Sequence, residues 1–260
     1  MNKKILISLS VIAAVAAIVI GGTVAYFSDV ETSTGNTFTA GSIDLKIDNT
    51  SYLNGVLSPS TSWTLNDLTD QLFFNFSDLK PGDWGEDTVS MYVDNNDAWA
   101  CMTFKDLTNT DESCTEPELK DDAGCPGNGG DLAQQLYFTF WKDDGDNVFG
   151  GSQGGEYLLL TNKKGPASDV LDGKTYPIAD KNFSIAGSDA SGNGLPLTGS
   201  NDYYIGKAWC FGTMIIDETT GAITCNGAAV DNASQSDKVT GTIEFYAVQA
   251  RNNPDFVCRR

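Results

Sequence analysis

The chain has 260 residues, with 16 basic against 35 acidic side chains and a formal charge of −19. That balance excludes nucleic acid and anionic lipid surfaces as partners, since both are held by clustered Lys and Arg, and it suits a self-repelling exported protein or a cation binder. There is no histidine, which closes the Ser-His-Asp, Cys-His and H-E-x-x-H routes to hydrolysis.

The N-terminus carries Lys3 and Lys4, an apolar run Ile5–Ile20 and a small-residue exit Gly21–Ala25, the layout of a secretory signal helix. The run is shorter than the roughly 20 apolar residues of a spanning helix. Thr23 and Ala25 place the cut after Ala25, with Tyr26 as the neighbouring choice. An uncleaved anchor is the alternative, and it would be the chain's sole tie to a membrane; a pilin-type leader is the other, without a Gly after Lys4 to favour it. Residues 1–25 are thus read as signal peptide, 26–41 as a separate extended segment and 42–260 as one domain.

From there helical periodicity is nearly absent, and short alternating segments recur between Gly-, Asn- and Asp-rich loops, the pattern of a sandwich or barrel. Ile43, Leu45 and Ile47 alternate with polar residues, as do Val89, Met91 and Val93, and Leu136, Phe138 and Phe140. Ala98–Phe104 is apolar on both faces and is expected inside the fold. Tyr157–Leu160, Tyr203–Met214 and Val239–Ala250 complete the strands. The last, apolar on both faces, is expected at the centre of a sheet. Asp106–Asp131, Asp143–Glu156 and Asn182–Asn201 are expected as long loops, with a helical turn near Asp131–Leu136.

Six cysteines in an exported chain read as disulfides. Proximity favours Cys114–Cys125 across a loop and Cys210–Cys225 across a hairpin, leaving Cys101 with Cys258, but spacing alone does not choose among the possible pairings. Asp143, Asp144, Asp146 and Asn147, with Glu156 beyond, form an oxygen-rich loop that suits Ca²⁺, although Val148 stands where an EF-hand needs a ligand; an exposed turn is the other reading. Leu195-Pro196-Leu197-Thr198-Gly199 matches a sortase motif, but no apolar span and basic tail follow closely, so it reads as a turn. Asn49, Asn75, Asn182 and Asn232 head N-x-[ST] triplets, three in loop-like sequence and Asn75 in an apolar run that partly hides it.

Two segments carry a family resemblance. Gly21-Gly22-Thr23-Val24-Ala25-Tyr26-Phe27-Ser28-Asp29 followed by Asn36-Thr37-Phe38-Thr39-Ala40-Gly41-Ser42-Ile43-Asp44-Leu45, and then Asp78-Leu79-Lys80-Pro81-Gly82-Asp83, resemble the TasA/camelysin family, over about the first third of the chain. The resemblance implies export through a signal peptidase of the SipW type and an all-β, jelly-roll-like β-sandwich, here with long disulfide-stapled loops. It also implies a secreted subunit of an extracellular fibre, biofilm matrix or bundled pilus, in which Phe27, Ser28, Asp29, Asn36 and Phe38 belong to a strand donated to a second copy of the chain. No catalytic residue and no cofactor beyond Ca²⁺ is expected. A monomeric or anchored surface protein is the alternative, and an exported peptidase, as camelysin-type members have been described, is the third.

Overall fold

The alternating segments become antiparallel strands, and their apolar faces close on one interior. The computed structural model describes residues 43–127 and 129–259. One sheet is built on β1 (Asp44–Leu53), β4 (Trp84–Asp94), β10 (Asn201–Phe211) and β6 (Leu136–Asp143), side by side in that order. The short strands β2 (Val56–Leu57) and β3 (Trp63–Asn66) pair with β1, and β7 (Tyr157–Leu158) and β8 (Gly165–Pro166) pair with β6. A second sheet holds β5 (Ala98–Asp111) between β9 (Thr175–Ala179) and β13 (Asp237–Gln249), and β11 (Thr213–Ile216) and β12 (Ile223–Asn226) form a separate hairpin. Among the described residues, four single-turn α-helices sit in the connections, α1 (Glu118–Asp121), α2 (Leu132–Gln135), α3 (Gly151–Gly154) and α4 (Ala167–Val170), with a 3-10 turn at Pro59–Thr61. The helical turn expected near Asp131–Leu136 is α2.

Strand side chains alternate between faces, and the inward set of both sheets meets in one core. Ile47, Val89, Met91, Val93, Phe138, Phe140, Ile205 and Trp209 come from the large sheet; Ala98, Ala100, Met102, Phe104, Ile178 and Ala247 come from the small one. Phe104 stands 5.6 Å from Phe140 across the interface, ring centre to ring centre. The result is the β-sandwich expected from the strand pattern.

A smaller core lies on the outer face of the large sheet, where Trp141, Phe149, Ala208, Cys210 and Met214 are buried together. The β11–β12 hairpin supplies part of this cover, and Cys210–Cys225 ties it down. Gly206 lies in register with Trp141, and a Cβ on it would overlap the indole.

The outer face of the small sheet is covered differently. Asn253 accepts a hydrogen bond from Trp99 Nε1 at 2.7 Å, Phe256 packs 6.2 Å from Tyr246, and Cys258 is bonded to Cys101. The C-terminal segment therefore gives β5 a second buried face, which is why Ala98–Phe104 is apolar on both sides.

Three expectations change. The last strand is not central: among the described residues β13 pairs with β5 alone, and its two-faced apolarity comes from the C-terminal segment on one side and the core on the other. Asp106–Asp131 is not all loop, since β5 runs on to Asp111 and pairs with Asp237–Thr240; its polar Thr108 bonds Thr240 across the strands at 2.6 Å. Tyr157–Leu160 yields a strand of two residues, because the chain leaves the ladder after Leu159 donates to the Phe140 carbonyl at 2.8 Å.

The Asp78–Asp83 segment forms the turn that feeds β4. Asp83 accepts from the Lys80 amide through its side chain at 2.7 Å, and its own amide returns to the Lys80 carbonyl at 2.8 Å. Gly82 sits at φ +96°, a conformation that L side chains rarely adopt.

Candidate functional site

The cleavage positions Ala25 and Tyr26 and the assembly residues Phe27, Ser28, Asp29, Asn36 and Phe38 lie outside the described residues. What the structure does place is an edge on which a strand could add. Among the described residues, nothing pairs with the side of β13 opposite β5. A register shift between Thr240 and Thr242 interrupts the ladder at Gly241 and separates an N-terminal half from Thr242–Gln249, where Ile243 and Phe245 are half-buried against the core. Phe245 lies 5.7 Å from Phe73, which in turn lies 4.9 Å from Trp63 on β3. This aromatic series carries the core across to the other sheet. Leu65, two residues from Trp63, and Leu72, next to Phe73, are exposed. Unpaired backbone beside exposed apolar side chains is the chemistry that β-strand addition uses.

Of the expected cation loop, the structure brings Asp143, Asp144 and Glu156 together. Their oxygens are largely committed to protein donors. Asp143 accepts from Thr88 Oγ1 at 2.5 Å and from the Asp144 amide at 2.9 Å. Glu156 accepts from the amides of Asp144 at 2.9 Å and Gly150 at 2.6 Å. Asp146 caps its own turn by accepting from the Val148 amide, and Asn147 donates to Glu86 at 3.1 Å instead of joining the group. Burial first, then the neighbouring Asp87, Asp143 and Asp146, pushes the Glu86 carboxyl up to about 7. Glu156 is pushed up to about 7 as well, chiefly by burial and by its hydrogen bond with Asp143. Sequence reasoning missed Glu86, which looks like an ordinary polar position of an alternating strand.

Two further groups went unnoticed. Asp87 and Lys207 face each other on β4 and β10 as a buried ion pair. Ser51 Oγ donates to Asp87 at 3.1 Å, and the Phe74 ring centre lies 4.3 Å from Lys207 Nζ. Burial pushes the Asp87 carboxyl up and the Lys207 ammonium down. Asp111, Glu118 and Asp237 form a second acidic group. Their spacing in the chain is too wide for a sequence motif.

The three disulfides are Cys101–Cys258, Cys114–Cys125 and Cys210–Cys225, the set that proximity favours. Leu197, inside the sortase-like segment, is fully buried and bridges to Ala98, so the segment is part of the sandwich wall. Asn49 is a buried residue of β1 and not a loop site, with its amide donating to the Thr61 carbonyl at 2.6 Å. Asn75 is exposed and not hidden, because the rings of Phe74 and Phe76 turn to Phe138 and Trp209 and leave it outside.

An all-β sandwich stapled by disulfides and lacking histidine is thus the class of protein defined by the fold. Residues 1–148 match the family described as Camelysin metallo-endopeptidase, and the chain belongs to that family. The match extends well past the segments in which the resemblance is visible by eye and ends after β6. The comparison with curated proteins found no match. The family's description implies a metal, so the donors matter. Among the described residues, two of the three clusters of acidic or cysteine ligands are carboxylates alone, and the third includes Cys114 and Cys125, which are bonded to each other. Such oxygen sets do not fit a catalytic zinc, which takes imidazole or thiolate together with carboxylate.

Proposed function

We propose that the protein is a secreted structural subunit that assembles into an extracellular fibre, each copy receiving the N-terminal segment of another along β13. The observation that carries this reading is the unpaired edge of β13 beside half-buried Ile243 and Phe245. Membership of the camelysin family supports it, as does an N-terminus laid out for export through a SipW-type peptidase. The residues 26–41 left by the cut are long enough to span the Thr242–Gln249 half of the edge. Backbone hydrogen bonds supply the affinity, and one large apolar side chain of the segment, Phe27 or Phe38, which alternation places on opposite faces of a single strand, supplies the register by entering the seam near Phe73. Because donor and acceptor are different surfaces, the contact is head-to-tail, and it propagates as a filament where the rotation between copies does not close a ring. The function requires no catalytic residue, and the negative surface keeps free subunits apart until they engage.

The test is a synthetic peptide of residues 26–41 added to the chain that begins at Ser42. Binding should slow hydrogen exchange at the amides of Thr242–Gln249 and leave β7 and β8 unchanged. Protection elsewhere, or none, would count against β13 as the acceptor and favour a monomeric surface protein.

A further inference from the structure

The Cys114–Cys125 loop folds back onto the open end of the small sheet, and three carboxylates converge there. Asp111 ends β5 and Asp237 begins β13, and the two are register partners on neighbouring strands. Glu118, the first residue of α1, is delivered by the loop and is fully buried. One oxygen from each lies within 4.8 Å of the others.

The hydrogen-bond accounts here differ from those of the Asp143 loop. Glu118 Oε2 accepts from the Thr115 amide at 3.0 Å and from Ser236 Oγ at 3.2 Å. Asp237 Oδ2 accepts from the amides of Asp131 and Leu132, the latter at 3.0 Å. These bonds hold the two carboxylates in place and leave their other oxygens free. Glu118 Oε1, Asp237 Oδ1 and both oxygens of Asp111 are shielded from solvent with no hydrogen-bond partner among the described residues, and so is Thr115 Oγ1. No Lys or Arg forms an ion pair with any of the three among the described residues. The Asp237 carboxyl is pushed up by burial, with Asp111 and Glu118 adding to it. Like charges opposite each other on adjacent strands destabilise a sheet, and buried charges without a counter-charge are strongly disfavoured. A cation removes both penalties.

We propose that Asp111, Glu118 and Asp237 form a Ca²⁺ site that fastens the stapled loop to the β5–β13 end of the small sheet. The donors are all oxygen and three are carboxylates, with the Thr115 hydroxyl beside them, which suits a hard cation of irregular coordination. Zinc would call for nitrogen or sulfur, and Mg²⁺ holds its waters and a strict octahedron too firmly for a dry pocket. The site is independent of the strand-donation reading, since the ligands belong to one copy of the chain.

The experiment is Ca²⁺ titration of the chelator-treated mature chain, read by calorimetry and by thermal unfolding. The expected result is one tightly held Ca²⁺ per chain and a saturable rise in Tm of several degrees, with a smaller rise for Mg²⁺ at equal concentration. Asp111→Asn, nearly isosteric, should lose the Ca²⁺ response yet melt no lower than the parent in chelator, because it relieves repulsion. Asp143→Asn should keep the response. No Ca²⁺-dependent change in the parent chain at millimolar concentration would overturn the proposal. So would a response that survives Asp111→Asn.

Discussion

Lys207 and Asp87 show how much one pair of residues decides. Both are buried in the sandwich interior, in register on β10 and β4, with Phe73 and Phe74 against the ammonium. Removing one partner strands a charge in a dry site. Lys207→Met should therefore cost about 3–5 kcal/mol of unfolding free energy in denaturant titration, and adding Asp87→Leu should recover most of it. The pair was legible in principle: Asp87 shares the inward parity of Val89, Met91 and Val93, and Lys207 interrupts the apolar run Tyr203–Met214. What a sequence does not show is that the two exceptions meet. Glu86 and Glu156 make a pH prediction. Their carboxyls rise from the ordinary 4.5 to about 7 on folding, so between those values the folded chain binds more protons than the unfolded one. Their contribution to stability is then present below about pH 4.5, falls as pH rises and is gone above about 7. Unfolding midpoints in urea should be higher at pH 5 than at pH 8, and Glu86→Gln should flatten the profile.

Elements depend on covers that the strand pattern cannot announce. The alternation of β1, β4 and β6 was readable because each sends its apolar parity to the core, but the lengths were not: β1 runs on to Leu53 and β4 begins at Trp84. The position of β13 was not, since a C-terminal segment covering Tyr246 looks, in sequence, the same as a second layer of sheet. That segment is held by Cys101–Cys258, which closes most of the domain into a loop, so Cys258→Ser should lower stability by about 2–5 kcal/mol. It should also shift Trp99 emission to the red as Asn253 and its neighbours lift away. The clusters at Asp143 and at Asp111 make the same point. The first is contiguous and was found by reading along the chain. The second is assembled from two strand ends and a stapled loop, and only pairing register brings it together.

At the scale of the molecule the dominant facts are a charge of −19 and, among the described residues, the open edge of β13. Copies carrying that charge repel one another, and salt screens the repulsion over a distance of about 10 Å at 0.1 M. Association at the edge is then favoured by ionic strength, and the critical concentration for assembly, measured by light scattering, should fall between 10 mM and 200 mM salt. A contact held by surface ion pairs would show the reverse trend.

The central claim is that the segment ahead of β1 builds the fibre. Electron microscopy of the mature chain starting at Tyr26, beside the chain starting at Ser42, tests it most directly. Filaments from the longer chain and dispersed particles from the shorter one are the predicted result. Filaments from both, or from neither across a wide range of concentration, would contradict it.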